Sequence, residues 1–250
     1  MTLFVPAPDG VRIAYEVTGE GRPIVLIHGF ASSREQNWRS TGWIDRLADA
    51  GFRVVSFDCR GHGKSDKPHE PAAYGEHMID DIIAVMDAAD APVADVMGYS
   101  MGGMLTIRFL MRNPERVRRA VVAGLGANYF EEAQAWRAMI AAAMESGDID
   151  AIEDRVARRF RIFGAQKGKD RIALAACMRS PRHKYVAADL KRSTRPVLVV
   201  CGGNDDLVGS PETLAEAFAD GRAVTLPGKD HMTAVGDPGY KKAVLQFLDG

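Results

Sequence analysis

The feature that most restricts how this chain can fold is the run Gly98-Tyr99-Ser100-Met101-Gly102 and what flanks it. Before it lies Pro92-Val93-Ala94-Asp95-Val96-Met97, short and apolar, which reads as a buried strand. After it lies Met104-Leu105-Thr106-Ile107-Arg108-Phe109-Leu110-Met111, long side chains at helical spacing. A serine in a sharp strand-to-helix turn is expected to adopt φ above zero, which pushes its hydroxyl out of the sheet. Two residues to either side the strand and helix backbones must approach, and only the smallest side chains fit, hence Gly98 and Gly102. The helix then starts at the serine, and its free N–H groups and positive dipole end favour negative charge nearby. An ordinary glycine-rich strand–helix turn would share the pentapeptide. The strand and helix around it favour a nucleophile that forms an oxyanion.

The rest of the chain repeats the alternation. Leu3–Val5 and Arg12–Val17 flank the turn Pro8-Asp9-Gly10 and read as an antiparallel hairpin. Pro23–Ile27, Phe52–Phe57, Arg119–Ala123, Pro196–Val200 and Ala223–Leu226 read as strands, several of them solidly apolar, as for strands buried on both faces. Helical spacing appears around Trp43–Ala48 (closed by Gly51), over Tyr74–Ala89, from Pro211 to Ala219 and from Pro238 to Leu248. Residues 128–192 break this rhythm. They have helical character throughout and no strand, with helices expected over Phe130–Glu145, Ile149–Phe163, Arg171–Met178 and near Tyr185–Leu190. The expected organisation is an α/β core over 1–127 and 193–250, with a mostly parallel sheet covered on both faces, and a helical insertion at 128–192. Such an insertion would sit over the carboxyl ends of the strands, where open α/β sheets bind ligands, and it reads as a lid.

A serine hydroxyl needs a base to take its proton, and histidine, titrating near neutrality, suits that task. Six histidines are present. His28 and His62 stand beside glycines in loops, where they can shape the backbone. His69 and His77 lie in or beside a polar loop and are expected to be exposed, and His183 lies in the insertion. His231, in Gly228-Lys229-Asp230-His231-Met232 after the last strand, is on the same strand-end side as Ser100 and is the expected base. The base needs an acid to hold its tautomer. Asp205 or Asp206, in the loop after Pro196–Val200, can supply it. Counting along the strand favours Asp205, with Asp206 as runner-up.

Four blocks carry a family resemblance: His28-Gly29-Phe30, Asp58-x-Arg60-Gly61-His62-Gly63-x-Ser65, Gly98-Tyr99-Ser100-Met101-Gly102-Gly103, and the late Asp205 and His231. In this order the chain resembles the α/β-hydrolase superfamily, in its lid-bearing serine-esterase-like branch. The resemblance covers all but the insertion. It implies the α/β-hydrolase fold, with an eight-stranded, mostly parallel sheet flanked by helices. It implies that Ser100 attacks, His231 relays the proton and Asp205 orients His231. It also implies an oxyanion hole made by the backbone N–H groups of Phe30 and Met101. The superfamily's dehalogenases and epoxide hydrolases use an aspartate nucleophile, whereas this chain has Ser100. Ester hydrolysis through an acyl-enzyme is therefore the leading expectation, with lactonase, C–C bond hydrolase or cofactor-free perhydrolase as alternatives on the same three residues. A ligand receptor or regulator on a hydrolase scaffold is the alternative from another class. The His-Gly-Gly-Gly block of another lipase and esterase branch is absent.

Other classes find little support. With 250 residues and a formal net charge of −1, nothing global points to nucleic acid. No apolar stretch is long enough to span a bilayer, and the first residues do not read as a secretion signal. Cys59, Cys177 and Cys201 are too few and too scattered for a disulfide framework or a structural zinc site, and suit a reducing cytoplasm. Gly63-Lys64-Ser65 lacks the earlier glycine of a phosphate-binding loop, since position 58 is Asp58. Gly124-Leu125-Gly126 lacks the third glycine of a dinucleotide fingerprint. No cofactor or metal is expected, and the expected partner is a small acyl or ester substrate. Arg155, Arg158, Arg159, Arg161, Lys167, Lys169 and Arg171 make the insertion basic. Such runs are mostly solvated faces, and an acidic substrate or partner is the alternative. Phe130, Trp136, Met139, Met144, Phe160 and Phe163 are read as a mixture of acyl-pocket lining and the insertion's own packing.

Overall fold

The computed structural model describes residues 1–131 and 133–250. Eight strands form one sheet: β1 (Leu3–Pro6), β2 (Arg12–Thr18), β3 (Arg22–Ile27), β4 (Phe52–Phe57), β5 (Ala94–Tyr99), β6 (Val117–Ala123), β7 (Val197–Gly202) and β8 (Gly221–Leu226). Their spatial order is β1-β2-β4-β3-β5-β6-β7-β8. β1 and β2 pair antiparallel, and β2 pairs antiparallel with β4. All later pairings are parallel. This is the expected α/β-hydrolase architecture of a mostly parallel eight-stranded sheet. β5 is buried at every position, so its side chains serve both faces of the sheet rather than alternating between core and water.

Two apolar layers cover the sheet. On one face α1 (Trp43–Asp49) and α9 (Pro238–Asp249) bury Trp43, Leu47, Tyr240 and Val244 against Ile24, Leu26, Met97 and Val121. On the other, α2 (His77–Ala88), α3 (Met101–Arg112) and α8 (Pro211–Glu216) bury Ile82, Met86, Leu105, Phe109 and Leu214 against Val25, Ile27, Val96 and Val122.

The topology places the site. β3 is followed by β4 on one side of it, and the chain then crosses back so that β5 pairs with the other side. The connections leaving β3 and β5 therefore diverge and open a crevice at the carboxyl ends of these adjacent strands. The loop bearing Phe30 leaves β3, and Ser100 leaves β5.

Between β6 and β7 the described residues contain helices only: α4 (Gln134–Glu145), α5 (Arg155–Gly164), α6 (Arg171–Arg179) and α7 (Ala187–Leu190). The boundaries depart from the sequence pattern for local reasons. The helix expected over Phe130–Glu145 starts at Gln134, after a 3₁₀ turn at Ala127–Phe130. Part of that expectation, Glu132, lies outside the described residues. The helix expected from Ile149 starts at Arg155, because the Asp154 carboxylate accepts from the Ala157 N–H at 2.8 Å and caps it there. The helix expected from Tyr74 starts at His77, since Gly75 at φ 69° interrupts the backbone. A short π-helical turn at Glu35–Arg39 escapes the apolar pattern. α4, α5 and α6 pack on one another through Ile140, Met144, Ala157, Leu174 and Cys177.

Much of the insertion's basic character is structural. Arg161 and Arg171 donate to the carbonyl of Ser146, and Arg171 also to that of Met144, neutralising the unsatisfied carboxyl end of α4. Arg158 donates to the carbonyls of Asp150 and Ile152.

Candidate active site

The turn after β5 is as tight as its glycines require. Ser100 has φ 54°, a left-handed value that a non-glycine residue rarely holds. Its N–H donates to the Ala123 carbonyl of β6 at 2.7 Å, and its own carbonyl accepts from the Met104 N–H at 3.0 Å, which starts α3. A Cβ on Gly98 would lie 2.0 Å from the Gly102 carbonyl oxygen, and one on Gly102 would lie 1.9 Å from that of Ile27. Any side chain at either position would push α3 off the sheet. Thr106 donates to the Gly102 carbonyl at 2.9 Å, tying the first turn of the helix together.

His231 lies in the loop after β8. Its Nε2 is 3.0 Å from Ser100 Oγ, and its Nδ1 is 2.7 Å from Asp205 Oδ2. The carboxylate can only accept, so Nδ1 carries the proton and Nε2 is left to accept from the serine hydroxyl. Asp205 is buried and Asp206 is exposed. Between the two aspartates left open by the sequence, it is Asp205 that meets the imidazole. Its other oxygen, Oδ1, accepts from the Leu207 N–H at 3.2 Å. A further glycine lets the two loops meet: a Cβ on Gly202, at the end of β7, would lie 2.1 Å from the Lys229 carbonyl oxygen. Tyr99 donates its hydroxyl to the His231 carbonyl at 2.6 Å and so fixes the backbone of that loop. Tyr99 lies inside the elbow motif, but no spacing along the chain signals this contact.

The loop after β3 comes up beside the serine. A Cβ on Gly29 would be 3.5 Å from the Ser100 Cβ, so the backbone entering Phe30 lies against Ser100. Met101 is the first residue of α3, and its N–H has no acceptor within the helix. Several buried groups hold the loop. Asn37 accepts from the Gly29 N–H at 3.0 Å, a contact with no signal in the sequence. His28 Nδ1 donates to the Gly29 carbonyl at 2.8 Å and its Nε2 accepts from the Cys59 N–H at 3.0 Å, so the ring is neutral and bridges the loops after β3 and β4. Burial holds His28 down to about 4 and His62, whose ring sits edge-on 5.1 Å away, down to about 3. Ala31, immediately after Phe30, has φ 57°.

The block from Asp58 to Ser65 acts as a brace rather than as chemistry. Asp58 accepts from the backbone N–H groups of Arg34 and Lys64. Arg60, fully buried, binds the carboxylates of Asp81 and Asp9, each at 2.6 Å. Ser65 accepts from the Ala14 N–H at 2.9 Å. His69 is exposed and meets Asp170, His77 is half-exposed beside Asp9 and Asp80, and His183 packs on Tyr185.

Side chains of the helical segment between β6 and β7 reach Met101 and Phe30. The Cys177 thiol of α6 lies 3.9 Å from the Met101 sulfur. The Phe160 ring of α5 lies 5.9 Å from that of Phe30, and the Trp136 ring of α4 stands 5.8 Å from Phe160. Of the apolar side chains expected here, Phe160 meets Phe30 and Trp136 packs on Phe160, whereas Met144 is completely buried beneath Gly164. Among the described residues no group of histidine, cysteine and acidic side chains is arranged to hold a metal, and no helix is long and apolar enough to cross a membrane.

Comparison with known proteins matches this arrangement to one family. The family model for the alpha/beta hydrolase fold matches residues 22–177. A crystal structure of a hydrolase from Pseudomonas aeruginosa PA01 superposes with a TM-score of 0.83 at 27% sequence identity, covering 100% of this chain and 98% of that one. A putative 2-succinyl-6-hydroxy-2,4-cyclohexadiene-1-carboxylate synthase of Bacillus subtilis (strain 168) is 35% identical over 126 residues, 48% of this chain and 43% of its own length. A 2-hydroxymuconate semialdehyde hydrolase of Pseudomonas sp. (strain CF600) is 33% identical over 117 residues, 46% of this chain and 40% of its own. The chain thus spans less than half the length of these two curated relatives. With the family model matched over more than half of the chain, and the sheet order and elbow it requires present, the chain belongs to the α/β-hydrolase family.

Proposed function

We propose that the chain is a serine hydrolase that cleaves a carboxylic ester or related acyl bond through an acyl-enzyme. One observation carries this reading: the continuous hydrogen-bonded line from Ser100 Oγ through His231 to Asp205, with separations of 3.0 Å and 2.7 Å. As Ser100 Oγ bonds to the acyl carbon, its proton passes to His231 Nε2, and the imidazolium is stabilised by Asp205. The carbonyl electron pair becomes an oxyanion, which accepts from the N–H groups of Phe30 and Met101. Collapse of this intermediate breaks the bond to the leaving group, which takes the proton from His231. Water, deprotonated in turn by His231, bonds to the acyl carbon, and the bond to Ser100 Oγ breaks as His231 returns the proton to that oxygen, releasing the acid. Residues 128–192 act as the lid: their aromatic side chains over Phe30 exclude water and present an apolar wall to the acyl chain. The free, buried cysteines fit a reducing compartment, in keeping with a cytoplasmic location.

The test is turnover of short-chain aryl esters by the wild type and by Ser100→Ala, together with labelling by a fluorophosphonate probe and mapping of the modified residue. Labelling of Ser100 and loss of turnover in the variant are expected. Undiminished turnover by Ser100→Ala would eliminate the mechanism. A second reading, hydrolytic cleavage of a C–C bond by the same residues, draws on the likeness to the Pseudomonas 2-hydroxymuconate semialdehyde hydrolase. Activity on vinylogous diketones with none on esters would select it.

A further inference from the structure

One cation of the insertion, Lys169, is set differently from Arg158, Arg161 and Arg171. Lys169, between α5 and α6, has its Nζ shielded from water and has no hydrogen-bond partner among the described residues. The ammonium lies 3.4 Å over the ring centroid of Phe163. The carboxylate beside it, that of Asp170, is already engaged: it accepts from His69 and from the N–H groups of Ile172 and Ala173. The nearby amide of Gln166 accepts from Gln36. Lys169 therefore differs from Arg158, Arg161 and Arg171, whose guanidinium groups are committed to backbone carbonyls.

Its surroundings lead back to the serine. Phe163 and Phe160 stand one turn apart on α5, and the Phe160 ring meets Phe30 at 5.9 Å. The His62 ring also meets Phe30 at 5.9 Å, and the Lys169 charge is close enough to act on both His62 and His28. His62 is a fixed neutral ring, since its Nδ1 donates to the Arg60 carbonyl at 2.9 Å, and its Nε2 is likewise buried without a partner. A buried ammonium without an anion is costly, and the cation–π contact offsets only part of that. Burial pulls Lys169 down to about 8, which leaves it mostly charged at neutral pH. The arrangement is an unmatched positive charge at the edge of an aromatic wall whose centre, Phe30, is the proposed oxyanion residue.

We propose that Lys169 receives a carboxylate of the substrate, so that the enzyme acts on acyl compounds bearing an anionic group remote from the scissile bond. This rests on the serine hydrolase reading above. Arg158, Arg161 and Arg171 brace the insertion through backbone carbonyls, and Lys169 is the residue that selects.

The experiment compares matched substrates: p-nitrophenyl monoesters of adipic, pimelic and suberic acids against p-nitrophenyl alkanoates of the same chain length. Wild type, Lys169→Met and Lys169→Arg are assayed, with fluorophosphonate labelling of Ser100 as an independent readout of an intact site. The wild type is expected to prefer the acid-terminated ester at one of these lengths. In Lys169→Met the ratio of kcat/KM, acid over neutral, is expected to fall roughly tenfold or more, mainly through KM, as for loss of a charge-assisted hydrogen bond. Lys169→Arg keeps the charge and is expected to retain part of the preference; it decides the matter if the methionine variant does not fold. A ratio identical in all three proteins, with Ser100 still labelled, overturns the inference and leaves the hydrolase reading in place. Labelling of Ser100 without turnover of either ester overturns it as well. Absence of both turnover and labelling removes the hydrolase reading and the inference with it.

Discussion

Gly102→Ala tests the packing of the elbow in a single methyl group. The added Cβ would lie 1.9 Å from the Ile27 carbonyl oxygen, 2.6 Å from the Ile27 carbonyl carbon and 2.8 Å from the His28 carbonyl oxygen. All three are backbone atoms of β3 and its exit, so no side-chain rotation relieves the clash. Reaching even 3.0 Å from the nearest atom requires α3 and β3 to part by about 1 Å. Two consequences follow. Overpacking of this kind costs about 3 kcal/mol, against a helix-propensity gain of about 1 kcal/mol for alanine over glycine. The net loss of about 2 kcal/mol lowers Tm by roughly 4–8 °C in a chain of this size. The same displacement separates Ser100 and the Met101 N–H, which move with α3, from the Phe30 N–H, which moves with β3. A misplacement of ~1 Å costs about 100-fold in rate. The control is Gly103→Ala, where the nearest atoms are at 3.1 Å and one belongs to the adjustable Leu125 side chain. Helix propensity alone favours both variants equally; the geometry separates them. Thermal unfolding and aryl-ester kinetics, measured side by side, decide. A Gly102→Ala protein as stable and as active as Gly103→Ala would refute the reasoning.

Further predictions address the acid and the buried histidines. Asp205→Asn should lower turnover by about 10⁴-fold, because an amide donating to Nδ1 imposes the wrong tautomer on His231. Asp206→Asn, at an exposed position, should stay within about twofold, and equal losses in the two variants would count against the assignment. Acid should destabilise the fold earlier than carboxylate titration alone would. His28 and His62 are held near 4 and 3 in the folded chain but titrate near 6.5 when unfolded, so below 6.5 the unfolded state binds more protons. Their contribution is complete above pH 6.5 and is lost as pH falls toward 4 for His28 and toward 3 for His62, on the order of 3 kcal/mol for His28 alone. Asp81, raised to about 6 by burial, opposes this below pH 6 by binding its proton earlier in the folded state, but two rings outweigh one carboxyl. A Tm that stays flat between pH 7 and 5 would show that these rings are not held neutral.

Much of this could be read along the chain, for identifiable reasons. The elbow is legible because its constraint is local: strand, serine and helix are contiguous, and Gly98 and Gly102 are required by contacts within a few residues and with the adjacent strand. Strands buried on both faces leave unbroken apolar runs, which is why β3, β5 and β7 are legible. Helix starts in the insertion were less legible, since Asp154 sets the start of α5 by a cap that competes with an apolar pattern extending upstream. The site contacts of Asn37, Tyr99 and Lys169 left no periodic trace, because each depends on a partner in another loop.

By itself the sequence determined the alternation of strands and helices, the strained serine turn and the chemical types needed around it, all of which follow from local sterics and burial. The choice of Asp205 over Asp206 waited for the tertiary structure, as did the bracing role of the Asp58–Ser65 block. So did the seating of one lysine, out of a basic run, against the wall beside Phe30. These depend on which side chains of distant segments face each other across the crevice between β3 and β5. That is set by how the sheet twists and how the insertion packs, and no spacing along the chain encodes it.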